Sequence, residues 1–219
     1  AELVEAFDNM GVLYLKEEAV LEDNPPIKLK NNWFTRQFEV FTEMYGAPVY
    51  AEFDPTPIVA PFYLLFFAMC MGDAGYGLIL ILLGIAVAKK WINIAMLKNI
   101  GPIISILGAG TFAIGLVLGT AFGIDLSAAE WYPQAMKKIM ITGTIAGFPA
   151  QMILALGIGI FHICLAMTVK AIGYTKRFGF RETVSVWGWL LLIVGGIATA
   201  ALGMAKLVSP DVIKWIVIV

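Results

Sequence analysis

The sequence predicts an all-α polytopic membrane domain, a helical hairpin plus further transmembrane helices, preceded by a small cytoplasmic α+β segment. Two observations carry this prediction. Hydrophobic residues make up 60% of the 219 residues and charged ones only 14%, whereas a soluble domain has about 25% charged residues. The charges are also unevenly spread, since residues 1–56 hold 11 of the 16 acidic residues but 4 of the 15 basic ones. Residues 57–219 carry +6 between long apolar runs, which is typical of membrane proteins.

Residues 1–54 are interpreted as part of a cytoplasmic domain. The segment 11–15 (GVLYL) predicts a short strand, because apolar residues there are bounded by a glycine and two glutamates. An amphipathic helix is expected over about 33–45, where four aromatic residues share one face. Asn32 is positioned to cap its start and Gly46 to end it. Packing within the domain explains the aromatic face better than a ligand groove does.

Residues 55–219 are predicted to be the transmembrane domain. Their apolar runs reach about 20 residues, enough to cross a hydrocarbon core of about 30 Å at 1.5 Å per residue. The expected helices cover approximately 57–72, 75–88, 99–123, 148–169, 183–205, and 212 onward. The last run is still apolar at Val219 and the chain begins at Ala1 without a methionine, so we expect a piece of a longer protein.

The run 57–88 is interpreted as a hairpin that turns at 72–75. A single helix would be about 48 Å long, which exceeds the membrane core, whereas two halves would each span about 23 Å. The hairpin also places the basic segments 89–98 and 170–181, both expected to be loops, on the side of the N-terminal part. Because basic loops mark the cytoplasmic side, we expect a multi-pass protein of the cell membrane with a cytoplasmic N-terminal part.

Small residues recur along the predicted helices at intervals of about four. Residues with this spacing let helix backbones approach closely in lipid, so they predict contacts between helices rather than a pore lining. They are Thr111, Gly115, Gly119 and Gly123 in one run, Gly84 and Ala88 in another, and Gly188, Gly196 and Ala200 in a third.

Three polar residues are candidates for function. Asp73 is the one carboxylate within the first apolar run, where it either has a charge-dependent role or, as the flanking glycines favour, caps the following helix. His162 lies in an apolar helix and suits a proton relay, although a neutral histidine bonded to a neighbouring helix is the simpler interpretation. Glu130 belongs to an outer loop and either lines the mouth of an ion path or is simply solvated.

Several function classes lack their signatures. Cys70 and Cys164 both lie in apolar runs, so neither a disulfide nor a metal site is expected. The sequence has no Gly-Lys-Ser/Thr phosphate-binding loop and a single histidine, so no catalytic constellation and no cofactor are predicted. A basic aromatic surface for nucleic acid is also missing.

Five short motifs occur in a characteristic order. They are YGAPVYAEFDPTP at 45–57, MGDAGYG at 71–77, LGTAFG at 118–123, GIGIFH at 157–162 and VWGWL at 186–190. This order resembles the membrane stator subunit, subunit I or a, of V-type and A-type rotary ATPases, from about residue 24 to residue 205. The motif residues at the expected hairpin turn are Gly72, Asp73, Gly75, Tyr76 and Gly77.

The resemblance implies a non-catalytic subunit, with ATP chemistry on other chains. Its partners would be the membrane subunits of a rotating ring, the peripheral stalk subunits and the lipid bilayer. Protons or sodium ions would cross at the ring, helped by an essential arginine on a long tilted helix. The only arginines of 57–219 are Arg177 and Arg181, in an expected loop, so that helix is expected to lie outside this sequence.

A secondary transporter or another membrane scaffold is the alternative. A transporter would show an internal repeat with broken helices around a midplane site, and 57–123 does not visibly repeat in 139–205. A membrane-embedded enzyme would need facing polar residues at depth, for which only Asp73 and His162 are available.

Overall fold

The computed structural model describes residues 2–15, 28–46, 48, 53–92, 100–145 and 147–204, with side chains up to residue 199. The chain divides into two compact units, Ala1–Pro57 and Ile58–Val219. The apolar segment expected from 212 onward lies outside the described residues.

The described part of the first unit contains three short helices, α1 (Glu2–Met10), α2 (Trp33–Arg36) and α3 (Glu39–Tyr45). The single helix expected over 33–45 is therefore interrupted. Asn32 does cap its start, accepting from the Thr35 amide at 2.8 Å. At Gln37 and Phe38 the backbone amides bond three residues back, which tightens the turn. The interruption leaves the Phe38 ring only 1% exposed.

The strand predicted at 11–15 is not formed among the described residues. The Gly11 and Val12 amides instead donate to the carbonyls of Asp8 and Phe7, which closes α1. The strands that do form belong to the second unit and make two short antiparallel pairs. These are β1 (Thr120–Ala121) with β2 (Ile124–Asp125), and β3 (Thr144–Ile145) with β4 (Phe148–Pro149).

The other regular elements described in the second unit are helices. Its helices are α4 (Thr56–Met71, whose first two residues belong to the first unit), α5 (Ala74–Ala88), α6 (Gly101–Leu118), α7 (Gln134–Lys137), α8 (Ala150–Phe178) and α9 (Phe180–Met204). Within the described residues, three helical stretches are long and apolar enough to cross a membrane, namely Gly101–Leu118, Ala150–Phe178 and Phe180–Thr199. The apolar helices α4 and α5 have 16 and 15 residues and form a hairpin whose two-residue turn is Gly72 and Asp73. Gly72 has a φ of 59°, a conformation that glycine adopts readily.

Helix α6 stops earlier than the sequence suggests. Gly119, with a left-handed φ of 78°, ends it at Leu118. The predicted helix to residue 123 gives way to β1, a turn at Phe122 and Gly123, and β2. Gly119 and Gly123, expected on a helix face, therefore shape turns instead.

Helix α8 runs beyond the expected end at 169. It continues to Phe178, and Gly179 alone separates it from α9. The expected loop at 170–181 is therefore helical, with Arg177 in α8 and Arg181 in α9. The basic residues that suggested a loop are favourable in the last turn of a helix, where they complement the negative end of its dipole.

Helices α5 and α6 pack closely through small residues. An added Cβ at Gly108 of α6 would meet the Ile81 nitrogen of α5 at 2.6 Å. An added Cβ at Gly101 would meet the Ala88 nitrogen at 2.7 Å. Thr111 is fully buried in the same seam. By contrast, an added Cβ at Gly188 or Gly196 of α9 would meet open space, so the contacts expected there do not form within the described part.

Candidate functional site at the hairpin tip

The carboxylate of Asp73 organises the tip of the α4–α5 hairpin. Its Oδ1 accepts hydrogen bonds from the backbone N–H groups of Gly75 at 2.7 Å and Tyr76 at 3.1 Å. These are amides of the first turn of α5, which have no partner within the helix. Asp73 therefore occupies the capping position that the sequence favoured, with an extended backbone at φ −135°.

The same carboxylate also binds a second segment, 49 residues further on. The Phe122 amide donates to Oδ1 at 2.8 Å. The Gly123 amide donates to Oδ2 at 2.7 Å. Both donors lie in the β1–β2 turn, where Phe122 and Gly123 have φ values of 51° and 74° that direct their amides to one acceptor. Asp73 thus joins the start of α5 to the turn after α6.

A second polar contact joins the same two segments. The Thr120 hydroxyl donates to the carbonyl of Gly72. Two of the five motifs, MGDAGYG and LGTAFG, therefore meet at one place. The sequence alone did not predict this contact between the two motifs. The feature that could have indicated it is that both motifs carry glycines, which are common where an α-helix ends.

The charge state of Asp73 follows from its surroundings. Its side chain is 7% exposed, and the turn that holds it lies outside both helices of the hairpin. Burial alone would raise the pKa of this carboxyl, but the amides of Gly123, Phe122, Tyr76 and Gly75 hold the pKa below its ordinary value. The group is therefore a fixed anion at neutral pH and is poorly suited to carrying a proton.

The motif glycines around Asp73 make room for backbone and for one ring. A Cβ at Gly75 would collide with the Phe122 ring, and one at Gly77 would collide with the backbone of Phe112. A Cβ at Gly115 would collide with the backbone of Ala74. Tyr76 is half exposed and meets the edge of the Phe122 ring at 6.1 Å between centroids. Steric demand explains why glycine stands at positions 75 and 77.

His162 lies elsewhere, between α8 and α4. Its ring stacks on Phe62, with 4.2 Å between centroids and 15° between planes, and Phe66 is 5.8 Å away. It also lines a groove with Val59, Tyr63, Phe66, Phe67 and Cys70. The neighbours identified for it in the described part of the chain are thus mainly aromatic and apolar, and a role in proton relay stays a prediction.

Glu130 is exposed in the segment between β2 and α7. Nearby, Asp125 accepts hydrogen bonds from the Ser127 hydroxyl at 2.6 Å and the Ser127 amide at 2.8 Å. These bonds lower the pKa of the Asp125 carboxyl. The described contacts connect neither Glu130 nor His162 to Asp73, and no set of three metal-ligating side chains occurs among the described residues.

Several known proteins are similar to this chain in sequence. Residues 7–122 match the V-type ATPase 116kDa subunit family. The A-type ATP synthase subunit I of Pyrococcus horikoshii is 35% identical, over 93% of this chain and 30% of that protein. Its namesake from Methanocaldococcus jannaschii is 26% identical, over 96% and 34% respectively. The V-type ATP synthase subunit I 2 of Treponema pallidum is 26% identical, over 72% and 33%.

The chain spans about a third of the length of these relatives. The matched region begins in the first unit, contains the whole hairpin, and ends at the Phe122 amide that Asp73 binds. The match covers more than half of the 219 residues. This chain therefore belongs to the V-type ATPase 116kDa subunit family, as a membrane protein of the ATP synthase subunit I type.

Proposed function

We propose that the chain is part of the static membrane subunit of a rotary ATPase, against which a ring of membrane subunits turns. Protons or sodium ions would cross where the two meet, while ATP chemistry takes place on other subunits. The observation that carries this proposal is the family match across the hairpin, which includes its Asp73 tip. The names of the relatives, A-type ATP synthase subunit I, agree with such a complex.

The packing of α5 against α6 is suited to a static role. A stator must transmit torque without yielding, so its helices need a fixed mutual position. Helices α5 and α6 approach closely at Gly77, Gly84 and Gly108, where an added Cβ would lie within 3 Å of backbone atoms of the facing helix, so the two backbones are tightly packed there. At the tip, the Asp73 carboxylate accepts hydrogen bonds both from the start of α5 and from the turn that follows α6.

The basic residues Lys89 and those of 170–182 lie at one end of the helix bundle because of the directions in which the helices run. Gly101 at the start of α6 lies against Ala88 at the end of α5, and the Gln151 side chain at the start of α8 reaches the Leu118 carbonyl at 3.4 Å. Lys89 and the 170–182 segment therefore lie at the end of the bundle opposite the hairpin tip. We propose that this basic end faces the cytoplasm and that the protein resides in the cell membrane.

Purification of the tagged chain from its own cells in mild detergent tests the proposal. We expect the small ring subunits and the stalk subunits to co-purify, identified by mass spectrometry. We also expect ATP-driven ion uptake by vesicles to disappear when the chain is depleted. A chain recovered folded at its native level without ring subunits, or unchanged uptake after depletion, would contradict the stator role.

The polar candidates can be tested in the same vesicles. His162→Phe preserves stacking on Phe62, so we expect uptake close to wild type. Glu130→Gln tests the second candidate, at an exposed position, in the same assay. A loss of uptake confined to His162→Phe in an assembled complex would show that the imidazole itself takes part in ion movement.

A further inference from the structure

The end of the α8–α9 hairpin combines basic and aromatic side chains. Residues 170–182 hold four basic residues against one acidic residue, a formal charge of +3. The connecting segment at the other end of the bundle, 119–149, is neutral, with two residues of each sign. The four bases are Lys170, Lys176, Arg177 and Arg181, and all four are exposed.

The four basic residues lie where the apolar part of the α8–α9 hairpin ends. Residues 150–169 contain no charged side chain and cover about 30 Å as a helix, the thickness of the hydrocarbon core. In α9 the uncharged stretch begins at Thr183. From Lys170 to Arg177 the rise along α8 is about 10 Å, enough to pass from the edge of the hydrocarbon core through the headgroup layer.

The aromatic side chains indicate that this end contacts lipid rather than water alone. The Lys170 ammonium lies 5.6 Å from the centre of the Tyr174 ring, and the Arg177 guanidinium lies 5.9 Å from that of Phe178. Phe178 and Phe180 are 58% and 63% exposed. Large exposed rings beside basic residues are the composition of the belt at the membrane interface.

The hairpin end also has a fixed shape. The Thr175 and Thr183 hydroxyls are 2.9 Å apart and hydrogen-bonded across the two helices. The indole N–H of Trp187 donates to the Thr175 hydroxyl at 3.2 Å. These contacts hold the last turn of α8 against the first turn of α9, so the basic residues on either side of Gly179 are presented together.

We propose that the α8–α9 end, residues 170–182, binds the phosphate headgroups of anionic phospholipids. The +3 charge complements a phosphodiester, arginine can bind phosphate oxygens in a bidentate manner, and the rings occupy the interface next to them. This proposal does not depend on the proposed role in ion translocation.

Native mass spectrometry of the full chain, titrated with phosphatidylglycerol or phosphatidylcholine in neutral detergent, tests the proposal. Two double variants each remove two positive charges, Lys176→Gln with Arg181→Gln at the proposed site and Lys137→Gln with Lys138→Gln in the neutral segment. Each basic residue near an anionic surface changes binding by about fivefold. We therefore expect the preference for phosphatidylglycerol to fall roughly 25-fold in the first variant and to stay within about twofold in the second.

Three further measurements separate the loss of positive charge from a loss of folding, and lipid binding from binding of free phosphate. Lys176→Arg with Arg181→Lys preserves charge and should keep the preference, which separates lost charge from lost folding. Raised salt should weaken the wild-type preference, and this needs no variant. Millimolar inorganic phosphate should not displace the lipid. Equal preferences in the two Gln variants, complete displacement by phosphate, or binding of an acidic peptide in place of lipid would overturn the proposal.

Discussion

We expect the substitution Gly108→Ala to destabilise the packing between α5 and α6. The added methyl carbon would lie 2.6 Å from the Ile81 nitrogen and 2.9 Å from the Gly77 oxygen, both backbone atoms of the facing helix. Because ordinary contact begins at about 3.4 Å, the helices must separate by roughly 0.8 Å. A gap of that size loses a quarter to a half of the dispersion energy along the seam, so we expect a cost of about 3 kcal/mol.

Gly159→Ala is the matched control, since it makes the same change in the middle of α8. An added Cβ at Gly159 has nothing within 4 Å. Alanine has the higher helix propensity, by about 1 kcal/mol in water, so this variant should be neutral or slightly more stable.

The assay is unfolding of the detergent-solubilised chain by added sodium dodecyl sulfate, followed by circular dichroism. A cost of about 3 kcal/mol corresponds to a change of more than 100-fold in the unfolding equilibrium constant. Gly108→Ala unfolding at the wild-type detergent fraction would refute the reasoning. Equal destabilisation by both variants would also refute it, because position 159 lacks the close backbone contact.

Three further predictions concern the tip and the orientation of the chain. Asp73→Asn keeps one acceptor oxygen but presents an amide nitrogen to the Gly123 N–H, so we expect the free energy of unfolding to fall by about 2 kcal/mol. Asp73→Ala removes both acceptor oxygens and should lower it by at least about 4 kcal/mol in the same unfolding assay. Because the pKa of Asp73 is lowered in the folded state, the stability gap between wild type and Asp73→Asn should be fully present above the ordinary carboxyl value of 3.8 and should close as pH falls through the lower folded value. In a cysteine-free background, an impermeant thiol reagent added to intact cells should label Ala128→Cys but neither Lys90→Cys nor Lys176→Cys, and labelling of position 90 from outside would reverse the proposed orientation.

The main helices could be predicted because their cause is local. The run 57–88 is too long for one span without strong tilt, and the glycines beside Asp73 indicate a place where it can turn. Aspartate is also a preferred residue at a helix start, so its capping of α5 could be expected from type and position. The observed turn falls within the predicted interval.

The rest depended on contacts that are distant in sequence or on boundaries that hydrophobicity does not mark. Ala121 and Phe122 are as apolar as the helix before them, so nothing in the pattern showed that α6 ends at Leu118. The bases at 170–177 marked the edge of the apolar run, which is a different boundary from the end of α8. The bonds from Phe122 and Gly123 to Asp73 bridge about fifty residues and leave no periodic signal.

The shared carboxylate also sets an order of events during synthesis. Asp73 and its partners in α5 leave the ribosome together, whereas the Phe122 amide follows 49 residues later. Until then the carboxylate has only the Gly75 and Tyr76 amides of its own helix, and water must supply the remaining hydrogen bonds. A hairpin that forms before α6 arrives is therefore expected to have a hydrated tip, and docking of the turn after α6 should displace that water. If synthesis stops after α5 and before residue 122, two of the four backbone amides that bind the Asp73 carboxylate are still missing.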